Sequence, residues 1–94
     1  MLSEIPKALE KVDEKSRDRE ILRAAIIAEL DAINLYEQMA ALAVDPNIKA
    51  ILLDVAKEEK THVGEFQRLL LNRDEEQVKE MEEGKKEVQE EVGE

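Results

Sequence analysis

Apolar residues recur along this chain at steps of three and four, and two long runs carry most of them. In the first run Ile21/Leu22, Ala25/Ile26, Ile33 and Ala40 share one face, and Glu29 and Tyr36 fall on that same face. In the second, Ile48, Leu52, Val55, Phe66 and Leu69/Leu70 form a stripe that also contains Glu59 and His62. Between the runs stands Asp45-Pro46-Asn47. Asp45 suits an N-cap, and Pro46 suits the first helical position, where its missing N–H costs nothing. The pattern predicts one helix from Ser16 or Asp18, either of which can cap it, to about Val44. It predicts a second from Pro46 to about Leu71. So short a connection makes the two helices antiparallel neighbours.

The ends read differently. Apolar content is thin before residue 16; Pro6 could open a short helix through Lys7–Val12, and residues 1–15 are expected to be an N-terminal arm that docks on a neighbour or frays. Asn72-Arg73-Asp74 ends the second helix, and Asp74 with Gln77 makes a capping box for a third. Residues 73–94 are nearly all Glu and Lys, with Val78, Met81, Val88 and Val92 as a sparse stripe and a weakening Gly84 in the middle. They are expected to form a partly ordered, solvated helix or tail. The expected fold is all-α: a helical hairpin over 16–72, flanked by the arm and this acidic C-terminal segment.

That hairpin needs company. Ile27, Leu30, Leu35 and Leu42 spread apolar character onto other faces of the first helix, and a helix greasy over more than half its circumference wants more than one neighbour. With 94 residues and Tyr36 and Phe66 as the only aromatics, a single core is marginal, and oligomerisation is a common remedy. A net charge of −10 argues against a nucleic-acid partner, because phosphate binding needs clustered Lys and Arg. The chain has no cysteine, which excludes disulfides, thiolate zinc sites, iron–sulfur clusters and cysteine nucleophiles. No signal peptide or membrane-spanning run is visible, so a cytoplasmic protein with no membrane association is the default.

The chemistry concentrates in Glu59-x-x-His62, which contains the single histidine of the chain. Residues three apart on a helix share a face, so this carboxylate and imidazole can bind one metal ion together. Glu29 lies 46 − 29 = 17 residues before Pro46, and Glu59 lies 59 − 46 = 13 after it. Allowing for the turn, both sit roughly 20 Å from the connection and therefore at one level of the hairpin. A lone Glu on one helix with Glu-x-x-His on the next is half the ligand set of a ferritin-like di-iron bundle. Two chains would complete it, with four carboxylates and two histidines around two metals. Such ligands suit iron and manganese, and iron's redox couple would make the site useful. A lone His on an apolar face is more often a satisfied core residue than a ligand. Burying two carboxylates at its level without a cation is costly, and that tips the balance towards metal. Tyr36, two turns beyond Glu29, is either a core aromatic or a residue bordering the site. Glu58 and Glu65 are expected at the surface, and Asp31 at the surface or in a secondary cation site.

Two stretches resemble the encapsulated ferritins, short ferritin-like proteins of bacteria and archaea. They are Ile26-Ile27-Ala28-Glu29-Leu30-Asp31-Ala32-Ile33-Asn34-Leu35-Tyr36-Glu37 and Glu58-Glu59-Lys60-Thr61-His62, within a similarity that covers roughly residues 20–72. The resemblance implies a half-ferritin hairpin that dimerises around an inter-subunit di-iron centre. It also implies an annular decamer of such dimers, and oxidation of Fe(II) by oxygen for storage inside an encapsulin nanocompartment. Carried over, Glu29, Glu59 and His62 are the iron ligands and catalytic residues, and Tyr36 lines the site. Bacterial members carry an additional acidic entry site; here Ala28 stands at its preceding position, and Asp31 is the nearby match. Residues 87–94 do not look like a shell-targeting peptide, and resemblance to archaeal members implies fusion to the shell protein.

Two other functions compete. A rubrerythrin-like peroxide reductase would use the same fold, although the absent cysteines remove a rubredoxin-type electron partner in cis. A non-enzymatic helical assembly module would use its polar core residues to set pairing register, and would hold no stoichiometric metal.

Overall fold

The computed structural model describes residues 13–94, and the expected arm lies almost wholly outside the described residues. Three helices follow one another: α1 (Glu14–Leu42), α2 (Pro46–Leu71) and α3 (Glu75–Val92), with no strand among the described residues. α1 begins two residues before Ser16 because Asp13 takes the cap: its side chain accepts the Ser16 N–H at 3.1 Å. Asp13, Ser16 and Asp18 are all able caps, and the first of them wins. At the turn Asp45 accepts the Asn47 N–H at 2.7 Å, with Pro46 at the first helical position as the sequence implies.

α1 and α2 pack as an antiparallel hairpin, whose buried apolar residues are Ile33, Ala40, Ala56 and Leu70. Two of these are alanines, so the helices meet closely along a narrow line. Ala56 is not among the expected stripe residues, and Ile48 and Leu69, which are, stay 57% and 42% exposed. Two helices alone can cover only one line on each other. The flanks therefore remain open, with Ile27, Leu30, Leu35, Ile51 and Leu53 all exposed.

Stepping at 100° per residue sorts these flanks into two sides. Ala25, Ala28, Ala32 and Met39 of α1 lie on the same side as Ile51, His62 and Leu69 of α2. Leu30, Glu37 and Arg23 lie on the opposite side with Leu53 and Lys60, and the Lys60–Glu37 ion pair at 3.1 Å crosses the hairpin there. This exposed pair contributes little to stability.

α3 is a continuous helix that tolerates Gly84. It is capped at its start by Asp74 and ended by Gly93 in the left-handed region at φ 74°. It carries no buried residue, and none of its Cα atoms comes within 8 Å of α1. The molecule measures 47 × 41 × 19 Å. A 29-residue helix accounts for about 43 Å in one direction, so the second long dimension reflects α3 leaving the hairpin sideways. Among the described residues, no helix is long and apolar enough to cross a membrane.

Candidate metal centre

Helical geometry brings Glu29 of α1 to the level of Glu59 and His62 of α2. The three offer ligand atoms that all lie within 4.8 Å of one another, the one such group among the described residues. His62 Nδ1 stands 3.3 Å from Glu59 Oε2 and 3.4 Å from Glu29 Oε2. The carboxylates are about four-fifths withdrawn from water (20% and 19% exposed), whereas the imidazole is 43% exposed. The trio is thus closed on the hairpin side and open on the side that carries Ile51 and Leu69.

The hydrogen bonding within the trio does not balance. The contact of His62 Nδ1 with Glu59 is aligned as a hydrogen bond. The contact with Glu29 is close enough for an ion pair but is not aligned, and Glu29 Oε2 is a buried oxygen with no hydrogen-bond partner. A single Nδ1–H cannot serve two carboxylates. Leaving a withdrawn carboxylate oxygen unsatisfied costs on the order of 1–3 kcal/mol, and more for a charged group. One divalent cation in place of that proton would satisfy both acids and use the imidazole lone pair. Donors bound to one first-row metal at about 2.1 Å lie at most about 4.2 Å apart, so the trio needs to contract only slightly. Oxygen and imidazole donors fit such an ion well.

Tyr36 is half-buried on α1, and no hydrogen bond of the trio reaches it. Glu58 and Glu65 are exposed, and Asp31 is half-buried. The pairing of Arg23 with Asp74 at 2.9 Å was not legible from sequence periodicity, since 51 residues separate the partners.

The chain as a whole has known relatives. The sequence profile of the family described as Rubrerythrin matches residues 20–93. A solved structure, described as the encapsulated ferritin domain from Pyrococcus furiosus, superposes with a TM-score of 0.84 at 58% identity, over 96% of this chain and 95% of that one. The chain belongs to the rubrerythrin family, among its encapsulated ferritins. A curated relative of this encapsulated-ferritin chain, the "Ferritin-like-encapsulin shell fusion protein" of Pyrococcus furiosus, is 68% identical over 74 residues. Those residues are 79% of this chain but 21% of that relative's length. This ferritin-like chain thus corresponds to about a fifth of the fusion protein.

Proposed function

We propose that this encapsulated ferritin is a ferroxidase, which oxidises Fe(II) with oxygen at a di-iron site shared by two copies of the chain. The observation that carries this reading is Glu29 Oε2, a buried carboxylate oxygen left without a partner beside Glu59 and His62. In this reading Glu29, Glu59 and His62 are the iron ligands and the catalytic residues. Two hairpins meet across the open, apolar side on which His62 is exposed. The alanines at 25, 28 and 32 on that side allow close approach. A four-helix ferritin-like bundle results, with four carboxylates and two imidazoles around the metal pair.

Iron, when bound, supplies the electrons that oxygen accepts. The chain's own residues do the rest. Four carboxylates would offset the charge of two divalent ions, and the imidazole of each His62 would help to hold them. The apolar flanks exclude water from the interface. Tyr36 borders the cavity. The hairpin, 16–72, carries the chemistry, and an annular decamer is the proposed assembly. The shell-fusion name of the relative suggests that this domain, too, works with an encapsulin shell that stores the oxidised iron, in the cytoplasm within such a nanocompartment.

The test is anaerobic loading with Fe(II), followed by mass measurement and aeration. Two irons per dimer with oxygen consumption support the reading. A metal-free chain that leaves Fe(II) unoxidised overturns it in favour of a helical assembly module. The family profile's description favours one second reading, peroxide reduction at the same trio. It is separated by presenting the iron-loaded protein with oxygen and hydrogen peroxide in turn.

A further inference from the structure

A second withdrawn carboxylate stands at the α2–α3 joint. The Asp74 side chain is 8% exposed. Its Oδ1 accepts the Gln77 N–H at 3.0 Å, capping α3, and its Oδ2 accepts from Arg23 Nη2 of α1 at 2.9 Å. Ser16, Arg19, Glu20 and Glu76 line the same depression. α3 itself is thinly packed: it buries no residue, and its Cα atoms come within 8 Å of α2 only at the joint region and of α1 nowhere. Yet it carries Val78, Met81, Val88 and Val92, each 42–68% exposed, on a stripe whose direction depends on the joint.

We propose that Arg23 and Asp74 form a clasp that sets the direction in which α3 leaves the hairpin. They are positioning residues, and the proposal holds whether or not the chain oxidises iron. The physical reason lies in what happens when the clasp is broken. Removing one partner of a withdrawn ion pair leaves the other charge poorly solvated, which is more costly than the pair itself is worth. Arg23 is 50% exposed and can return to water without moving the backbone. Asp74 can do so only if the joint swings outward. The Asn72 and Arg73 N–H groups are bonded back to α2 at 3.1 and 2.9 Å, so the swing falls on the backbone dihedrals around Asp74. With the clasp closed, the α3 stripe points one way; with it open, α3 samples many directions.

The cysteine-free chain makes the test direct. Nitroxide labels on Asn47→Cys, at the hairpin tip, and Glu90→Cys, near the end of α3, report the distance by pulsed electron resonance. Labelled chain is diluted into unlabelled chain so that only distances within one copy are read. The parent is expected to give one narrow distance maximum. Arg23→Met, which strands the Asp74 charge, is expected to lose that narrow maximum, and Asp74→Asn, which only unties the pair, to broaden it less, while helix content by circular dichroism stays at the parent's level. Asn keeps the cap but not the charge. Arg23→Lys is expected to restore part of the narrow maximum. A parent-like distribution in both variants overturns the clasp. Loss of helix content in place of a change in direction overturns it as well, because the pair would then act in folding α3 rather than in aiming it.

Discussion

Asp74 at the joint and Glu29 in the middle of α1 are both carboxylates drawn away from water, in surroundings that differ. Asp74 uses one oxygen on a backbone N–H and the other on a guanidinium, so both are satisfied within the chain. Glu29 faces an imidazole already committed to Glu59 and keeps a buried oxygen without a partner. A protein can hold a withdrawn carboxylate by supplying its own cation or by leaving room for one from outside. Depth of burial does not separate the two cases. The balance of donors around each oxygen does: Asp74 is satisfied within the fold, and Glu29 is left with the unmet demand on which the proposed metal site rests.

The largest effects should come from removing a ligand. In Glu59→Ala or His62→Ala, oxygen consumption on aeration of Fe(II)-loaded protein is expected to fall more than about 100-fold, beyond the range typical of residues that merely support ligands. An unchanged rate would erase the distinction between the two carboxylate sites. Next in size is stabilisation by metal. A divalent ion at 100 times its dissociation constant should add about 2.7 kcal/mol, seen as a rise in Tm that a chelator reverses. Glu29→Gln should abolish most of that rise, and Asp74→Asn should leave it in place.

Smaller, and opposite in sign to ordinary intuition, is the effect of Glu29→Gln without metal. Relieving a carboxylate that has no cation should leave stability to urea unchanged, or raise it by about 1 kcal/mol. A clear loss would mean that Glu29 is already satisfied. The smallest effect concerns acid. The Gln77 N–H, with help from the hydrogen bond and charge of Arg23, holds the Asp74 carboxyl below its usual 3.8 against the opposing pull of desolvation. The unfolded chain therefore takes up this proton first. The stabilisation is complete above 3.8 and is lost as pH falls through the lower folded-state value. Amide signals of α3 should show that loss in the parent between pH 5 and 2 (roughly the window in which such carboxylates titrate). They should show little of it in Asp74→Asn.

What the sequence makes legible follows from which quantities are local. Helical period fixes the face of Glu29, Glu59 and His62, and counting from Pro46 fixes their depth, so the trio could be placed before any coordinates. The inner line of α2 was less legible: Ile48 and Leu69 are more hydrophobic than Ala56, but close approach of two helices selects the small residue. The start of α1 was expected at Ser16 or Asp18, and the cap is Asp13, whose side chain accepts the Ser16 N–H. The Asp74–Gln77 capping box was legible and does open a third helix; Gly84 argued for only partial order there, yet the helix runs unbroken to the left-handed Gly93. The pairing of Arg23 with Asp74 has no periodic signature at all; only the fold brings the two together.

The turn of Ala43, Val44 and Asp45 has a kinetic consequence. Glu59 and His62 meet within one helix, and Glu29 reaches them by the zipping of two helices from this one short turn. Chains dominated by such near-neighbour pairings fold quickly, often in microseconds to milliseconds. The trio therefore comes together in the time one hairpin takes to close. The proposed docking with a second copy would depend on concentration and follow as a separate step.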